Sequence, residues 1–300
     1  MLMQAVTSYL RARRAAGFDL RVHEYLLRDF ARFAADHGEV HICSSSAIAW
    51  AAQAPSHQRD RRLRIVIGFA RHVHAEDGAH AIPPAHVFAV PRQRRRPHIF
   101  TPDEVRQILV AAGQLGPSGS LRPYTYRTLF GLLAACGLRI SEVLALRIDD
   151  VTPDGLVIRK TKFKKSRLVP MHETTERALE DYLLRRCQVA GATEQVFVSL
   201  RGRPMLYAEV DRTFLGILRG LGLRGAPGVD GPRMHDMRHT LAVRALEDCP
   251  RDEVTSHMLA LSTYLGHALL ADTYWYLHVT PELMTGIADT CRHYLHGGTP

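Results

Sequence analysis

A chain of 300 residues, 46% of them hydrophobic, has the apolar content for a substantial core, and that length favours two domains over one. No apolar run approaches the roughly 20 residues that span a bilayer, and the stretch MLMQAVTSYLRARRAAG, with arginines after its apolar part and no small-residue cleavage site, argues against a signal peptide. The five cysteines, Cys43, Cys136, Cys187, Cys249 and Cys291, are scattered without a CxxC pair, which suits a reducing cytosol and argues against a structural zinc site.

The formal charge is +9, and it is unevenly spread. Residues 1–100 carry 15 arginines against 8 acidic residues, leaving +7, whereas the remaining 200 residues carry +2. A basic N-terminal third, with Arg11, Arg13, Arg14 and the run Arg59, Arg61, Arg62 and Arg64, has the character of a surface that faces polyphosphate.

Along the chain, the first 80 or so residues read as four short helices. Apolar residues recur at helical spacing over Val22–His37 (Tyr25, Leu26, Phe30, Phe33), between Gly17 and Gly38, and the serines of SSSAIAWAAQ are placed to cap a short helix. A longer helix is expected over about Gln58–Ala75, and His72, His74 and His80 are expected to be exposed. The segment AIPPAHVFAVPRQRRRPHIF holds four prolines and four arginines and cannot form a continuous helix. It reads as an interdomain linker over 86–98, with Arg94, Arg95 and Arg96, like Arg59 and Arg62, as candidate DNA contacts. A second domain, 99–300, opens where Thr101, Pro102 and Glu104 form a capping box. Helices are predicted over Tyr124–Cys136, Ser141–Leu146 and Glu173–Val189, and GLVIRKTKFKKSRLVPM reads as a β-hairpin around a basic turn. The expected fold is therefore mainly α with one small antiparallel β-sheet.

The lysines are informative. Only four occur, Lys160, Lys162, Lys164 and Lys165, all in one six-residue window, while every other basic residue that is not histidine is arginine. An ammonium can lend and recover a proton near neutral pH, which a guanidinium effectively cannot. ACGLRISEVLALRIDDV puts Arg139 at the start of a short helix, where free N–H groups attract phosphate and an arginine adds a two-point clamp; Glu142 can buttress it from behind. HDMRHT sets His235 and Arg238 three apart on one helix face. YLGHALLADTYWYLH places His267 nine residues before Tyr276. His235 and His239, four apart, have a zinc-ligand spacing but no third ligand and no HExxH.

In this order the boxes resemble the tyrosine recombinase (phage integrase) family over roughly residues 100–290. While charge, length and position point to a helical core-binding domain of SAM-like type over 1–85, the resemblance implies an α+β catalytic domain with a C-terminal exchange helix. It implies Tyr276 as nucleophile, forming a 3′-phosphotyrosyl link, with Arg139 and Arg238 on the non-bridging oxygens and His267 donating to the phosphate. His235 would handle the tyrosine proton and Lys162 would protonate the leaving 5′-oxygen, with neither metal nor ATP required. Tyr274 is a competing nucleophile, but two residues along a helix it faces nearly the opposite way. The implied partners are duplex DNA with paired inverted half-sites and three further copies of the chain, in the cytoplasm on the nucleoid. A type IB topoisomerase and a non-catalytic DNA-binding protein of the same fold are the alternatives.

Overall fold

The computed structural model describes residues 2–88, 95–159, 166–189, 193–250, 253–267, 269–274 and 276. All four lysines, together with Arg92, Arg94, Trp275 and the tail expected to form an exchange helix, lie outside the described residues. The chain divides into two compact units, Met1–Arg94 and Arg95–Pro300. Among the described residues no helix is long and apolar enough to cross a membrane.

The first unit is built from four helices, α1 (Leu2–Ala15), α2 (Arg21–Asp36), α3 (Ser44–Ala52) and α4 (Ser56–His74). In α2, Leu27, Phe30, Ala31 and Ala34 are buried at the spacing of one helical face, which is why this segment folds as a helix against its neighbours. Phe30 meets Trp50 of α3 edge-on, with ring centroids 5.4 Å apart. The serines at the start of α3 do not cap it: Cys43 holds the N-cap position without a side-chain bond, and Ser46, inside the first turn, donates its hydroxyl to Glu39. His80 is buried rather than exposed; its Nδ1 accepts the Ile42 N–H at 3.1 Å. Among the described residues His41, Asp77 and His80 form the one cluster with donor atoms close enough to hold a metal ion. The Ile42 bond, however, leaves the ring proton of neutral His80 on Nε2, so no lone pair there faces a cation. The trio ties the α2–α3 loop to the end of α4.

The first helix of the second unit opens at the capping box read from sequence. Thr101 Oγ1 accepts the Glu104 N–H at 3.1 Å, and Glu104 Oε2 accepts the Thr101 N–H at 2.8 Å. That opens α5 (Pro102–Gly113), followed by α6 (Leu121–Cys136), α7 (Ile140–Ala145), α8 (Glu173–Val189), α9 (Tyr207–Gly220), α10 (His235–Glu247), α11 (Val254–Leu265) and α12 (Ala271–Tyr274). Between α7 and α8 runs a three-stranded antiparallel sheet of β1 (Val151–Thr152), β2 (Gly155–Ile158) and β3 (Arg167–Val169), in that order. Leu156 pairs with Val169 and Ile158 with Arg167. Leu156, Ile158 and Val169 point into the core while Leu168 points out, the alternation that a strand imposes. The mainly helical fold with one small antiparallel sheet, expected from the sequence, is thus the observed one.

α6 is the central helix of this unit; Leu129, Phe130, Leu132 and Leu133 along it are buried. Phe130 packs edge-on against Phe214 of α9 at 5.2 Å. Phe130→Ala should therefore cost about 3–5 kcal/mol in the unfolding of the second unit. In denaturant melts the transition followed at Trp50 in the first unit should keep its midpoint; an unchanged midpoint for the second unit would contradict this packing.

Candidate active site

Two helices that end in left-handed glycines create the site. α6 stops at Gly137 (φ 58°) and α11 at Gly266 (φ 66°), a conformation that costs a residue with a Cβ about 1–2 kcal/mol. A Cβ at Gly137 would also stand 2.5 Å from Leu241, and one at Gly266 would stand 2.7 Å from the Arg167 guanidinium. Each stop exposes carbonyl groups that have no partner within their own helix, and arginines take them up. Arg139, just past Gly137, donates to the Gly266 carbonyl at 3.1 Å. Arg238 of α10 donates to the Gly137 carbonyl at 2.7 Å and the Leu265 carbonyl at 2.6 Å.

Glu142 supports Arg139 as expected: Oε2 accepts the Arg139 backbone N–H at 2.9 Å and Oε1 its Nη1 at 2.9 Å. Burial pushes the Glu142 carboxyl up, but the Arg167 and Arg139 hydrogen bonds and charges outweigh it and hold the group down at about 2. Arg238 is buried; burial, and then the neighbouring Arg139 charge, bring its guanidinium down to about 10, so it remains a cation at neutral pH.

Against this cationic floor stand three histidines and one tyrosine. His235 and His239, one turn apart on α10, meet edge-on at 4.6 Å. His239 Nδ1 lies 3.1 Å from Tyr276 Oη, and the His267 ring stacks on Tyr276 at 6.1 Å between centroids. His267 Nδ1 is 2.7 Å from Thr273 Oγ1. Burial, reinforced by the arginines, lowers His235 and His267 to about 4. Burial, then the His235 and Arg238 charges, lowers His239 to about 3. Burial raises the Tyr276 phenol above its ordinary value, against the pull of Arg238 and Arg139. Tyr276 is 2% exposed and Tyr274 47%, so of the two tyrosines only Tyr276 belongs to the cluster.

The structure thus brings Arg139, His235, Arg238, His267 and Tyr276 together, while Lys162 lies outside the described residues. Sequence reasoning weighed His239 only as a zinc ligand and missed it as the histidine that touches the phenol. Its place four residues after His235 and one after Arg238 was the available signal. Thr273, fully buried on His267, and Arg167 carried no signal at all. Of the arginines expected on DNA, Arg62 lies over the Trp50 ring at 4.3 Å and pairs with Asp29 at 3.1 Å, so it serves the packing of its own unit. Arg59 donates to the Ala54 carbonyl at 2.9 Å. Arg95 pairs with Asp230 at 2.7 Å, Arg96 is exposed, and Arg94 is not described.

Comparison with known proteins gives the family of the chain. Residues 98–282 match the phage integrase family. The chain is 42% identical to the y4rB integrase/recombinase of Sinorhizobium fredii over 94% of each chain. It is 31% identical to the tyrosine recombinase XerC of a Mycobacterium species over 71% of this chain and 69% of the relative. Among solved structures, the Tn1549 transposon integrase in complex with transposon right-end DNA superposes with a TM-score of 0.67 at 16% identity, covering 96% of this chain and 98% of that one. The XerH recombinase bound to palindromic difH substrate gives 0.65 at 17% identity, over 89% and 78%. The chain belongs to the phage integrase family of tyrosine recombinases. Its enzyme class is that of a DNA strand transferase.

The buried histidines make stability depend on pH. Each is held below the 6.5 of a free imidazole, so the unfolded chain binds protons that the folded one refuses. Stability from this source is complete above about pH 6.5 and is lost as pH falls toward about 4 and below. Denaturant melts should show unfolding free energy declining over that range, with a shallower decline in His239→Gln. A flat profile would mean that the histidines are not held neutral by the fold.

Proposed function

We propose that this protein is a site-specific DNA recombinase, of integrase or transposase type, that cleaves and rejoins DNA through a 3′-phosphotyrosyl intermediate on Tyr276. The observation that carries the reading is the Tyr276 hydroxyl 3.1 Å from His239 Nδ1, walled in by Arg238 and His267, while Tyr274 faces solvent.

The scissile diester rests on Arg139 and Arg238, which neutralise its non-bridging oxygens as charge builds there. Tyr276 Oη attacks phosphorus, and its proton passes to His239, with His235 against that ring. An imidazole near 3 is a weak base, but the anionic phosphate that arrives beside it raises its affinity for the proton. If the Thr273 hydroxyl donates to His267 Nδ1, the Nε2–H is left to donate to the phosphate. The P–O5′ bond breaks, and Lys162 gives the 5′-oxygen its proton. Attack by a 5′-hydroxyl of the partner strand reverses the sequence and releases Tyr276. The phosphotyrosyl ester conserves the energy of the broken bond, so no ATP enters; two arginines and a lysine supply the positive charge that a metal would bring, and His267 adds a hydrogen bond.

The partner is duplex DNA with paired inverted half-sites, and exchange between two duplexes calls for four copies of the chain. The site of action is the nucleoid in the cytoplasm. The basic surplus of residues 1–100 suits a clamp on the duplex, with exposed arginines such as Arg61 and Arg64 on phosphates.

The test is a pool of nicked duplexes with randomised half-sites, followed by denaturing gels. The protein should form a covalent adduct that withstands EDTA, Tyr276→Phe should form none, and Tyr274→Phe should retain it. His239→Ala should slow adduct formation by about 10²–10⁴. A greater loss in His235→Ala than in His239→Ala would return the base to His235, and an adduct in Tyr276→Phe would refute the nucleophile.

A fragment beginning at residue 95 retains Arg139, Lys162, His235, Arg238, His239, His267 and Tyr276. It should bind duplex DNA more weakly and with a shallower dependence on salt, since fewer phosphates are neutralised, yet still cleave at high concentration. An equal salt slope for fragment and full chain would remove the clamp role from the first unit.

A further inference from the structure

Arg167 takes no part in the chemistry just described, yet its side chain is only 11% exposed and fully engaged. It stands on β3 opposite Ile158, immediately after the lysine-bearing segment in the chain. Nη1 and Nη2 donate to the two oxygens of Glu142 at 3.0 and 2.8 Å, and Nε donates to the Tyr264 carbonyl at 2.8 Å. Gly266 lies against the guanidinium so closely that a Cβ would stand 2.7 Å from Nη1.

A carboxylate offers about four lone-pair directions. Glu142 fills them with the Arg139 backbone N–H, Arg139 Nη1 and the two Arg167 nitrogens. Two oxygens and two guanidinium nitrogens make the strongest arrangement of this ion pair, and Arg167 holds it. Arg139 donates a single side-chain bond to the same carboxylate, while its Nη2 goes to the Gly266 carbonyl. If Arg167 were absent, the vacated oxygens would turn to Arg139, the other guanidinium that already bonds to Glu142 among the described residues, and Arg139 would be drawn into the two-point pair and electrically cancelled. Arg167 also pins the first of three successive carbonyls, Tyr264, Leu265 and Gly266, that accept from Arg167, Arg238 and Arg139 in turn.

We propose that Arg167 is a positioning residue of the anion clamp: by taking both oxygens of Glu142 and the Tyr264 carbonyl it keeps Glu142 from cancelling Arg139 and leaves that guanidinium partly unpaired and aimed at the phosphate. The inference deepens the proposed function and rests on it for the identity of the anion, a DNA phosphodiester. Its signature is compensation. The damage done by losing Arg167 comes from the charge of Glu142, so removing that charge repairs it.

Inorganic phosphate serves as the probe, titrated into the full-length protein and followed through the arginine Nε–H resonances. Arg167→Ala should weaken phosphate binding by about tenfold, the scale of one charged hydrogen bond. Arg167→Ala/Glu142→Gln should return to within about threefold of the parent, and Arg167→Lys should fall between. A role confined to stability would leave the double variant as weak as the single one or weaker, since it has lost more contacts; that outcome overturns the proposal, as does unchanged binding in Arg167→Ala or no binding by the parent. If Arg167→Ala does not fold by circular dichroism, Arg167→Lys with and without Glu142→Gln makes the same comparison. Rates of covalent adduct on the nicked duplexes should follow the same order. Compensation seen with phosphate in a protein that forms no adduct would sink the recombinase reading and leave the role of Arg167 standing.

Discussion

Three arginines from three separate elements are anchored on one short piece of backbone, the carbonyls of Tyr264, Leu265 and Gly266 at the C-terminal end of α11. Cations packed this closely repel; two unit charges about 4 Å apart do so by roughly 4 kcal/mol at the effective dielectric of a protein surface. The arrangement stands because a helix C-terminus carries partial negative charge and because Glu142 sits between two of the three. The left-handed turn at Gly266 brings the last of those carbonyls round to Arg139, and the matching turn at Gly137 releases Arg139 from α6 at the right place. Both glycines meet neighbouring side chains where a Cβ would be, so the cationic floor depends on two residues that have no side chain of their own.

That floor sets the protonation of everything above it. Positive charge and burial act in the same direction on His235, His239 and His267 and keep all three neutral. On Tyr276 they act in opposite directions, and burial prevails, so the phenol stays protonated. A protonated phenol beside a neutral imidazole is a pairing between which a proton can pass. The missing component is negative charge. In the proposed reaction a phosphodiester supplies it, and a negative charge placed there would shift the histidines toward the protonated form.

The first unit has the plainer logic of charge and core. Its helices bury the apolar faces that the spacing announces, and its arginine surplus is spent partly on itself: Arg62 lies over Trp50 and shares Asp29 with the indole N–H. A count of arginines therefore overstates the number available to phosphates, because a planar guanidinium is also the cation best suited to stacking on an aromatic ring.

Much of this was legible in the chain itself. Helical spacing, the capping box at Thr101 and the alternation of Leu156 and Ile158 are properties of neighbours in sequence, and they determined the helices, the hairpin and the mainly helical class. The order of Arg139, His235, Arg238, His267 and Tyr276 likewise pointed to the family and to residues that the fold gathers, while burial separates Tyr276 from Tyr274. What tertiary structure alone decided were contacts between distant residues. Arg167 meets Glu142 across 25 positions and Tyr264 across 97, and nothing local in the chain distinguishes it from other arginines. Nor could sequence choose between His235 and His239 as the neighbour of Tyr276, since one helical turn separates them and only the placement of the phenol, 37 positions on from His239, settles which ring it touches. Local patterns specify the elements because their physics is short-ranged; the charges and partners of the site belong to the folded chain, where burial and packing assign them.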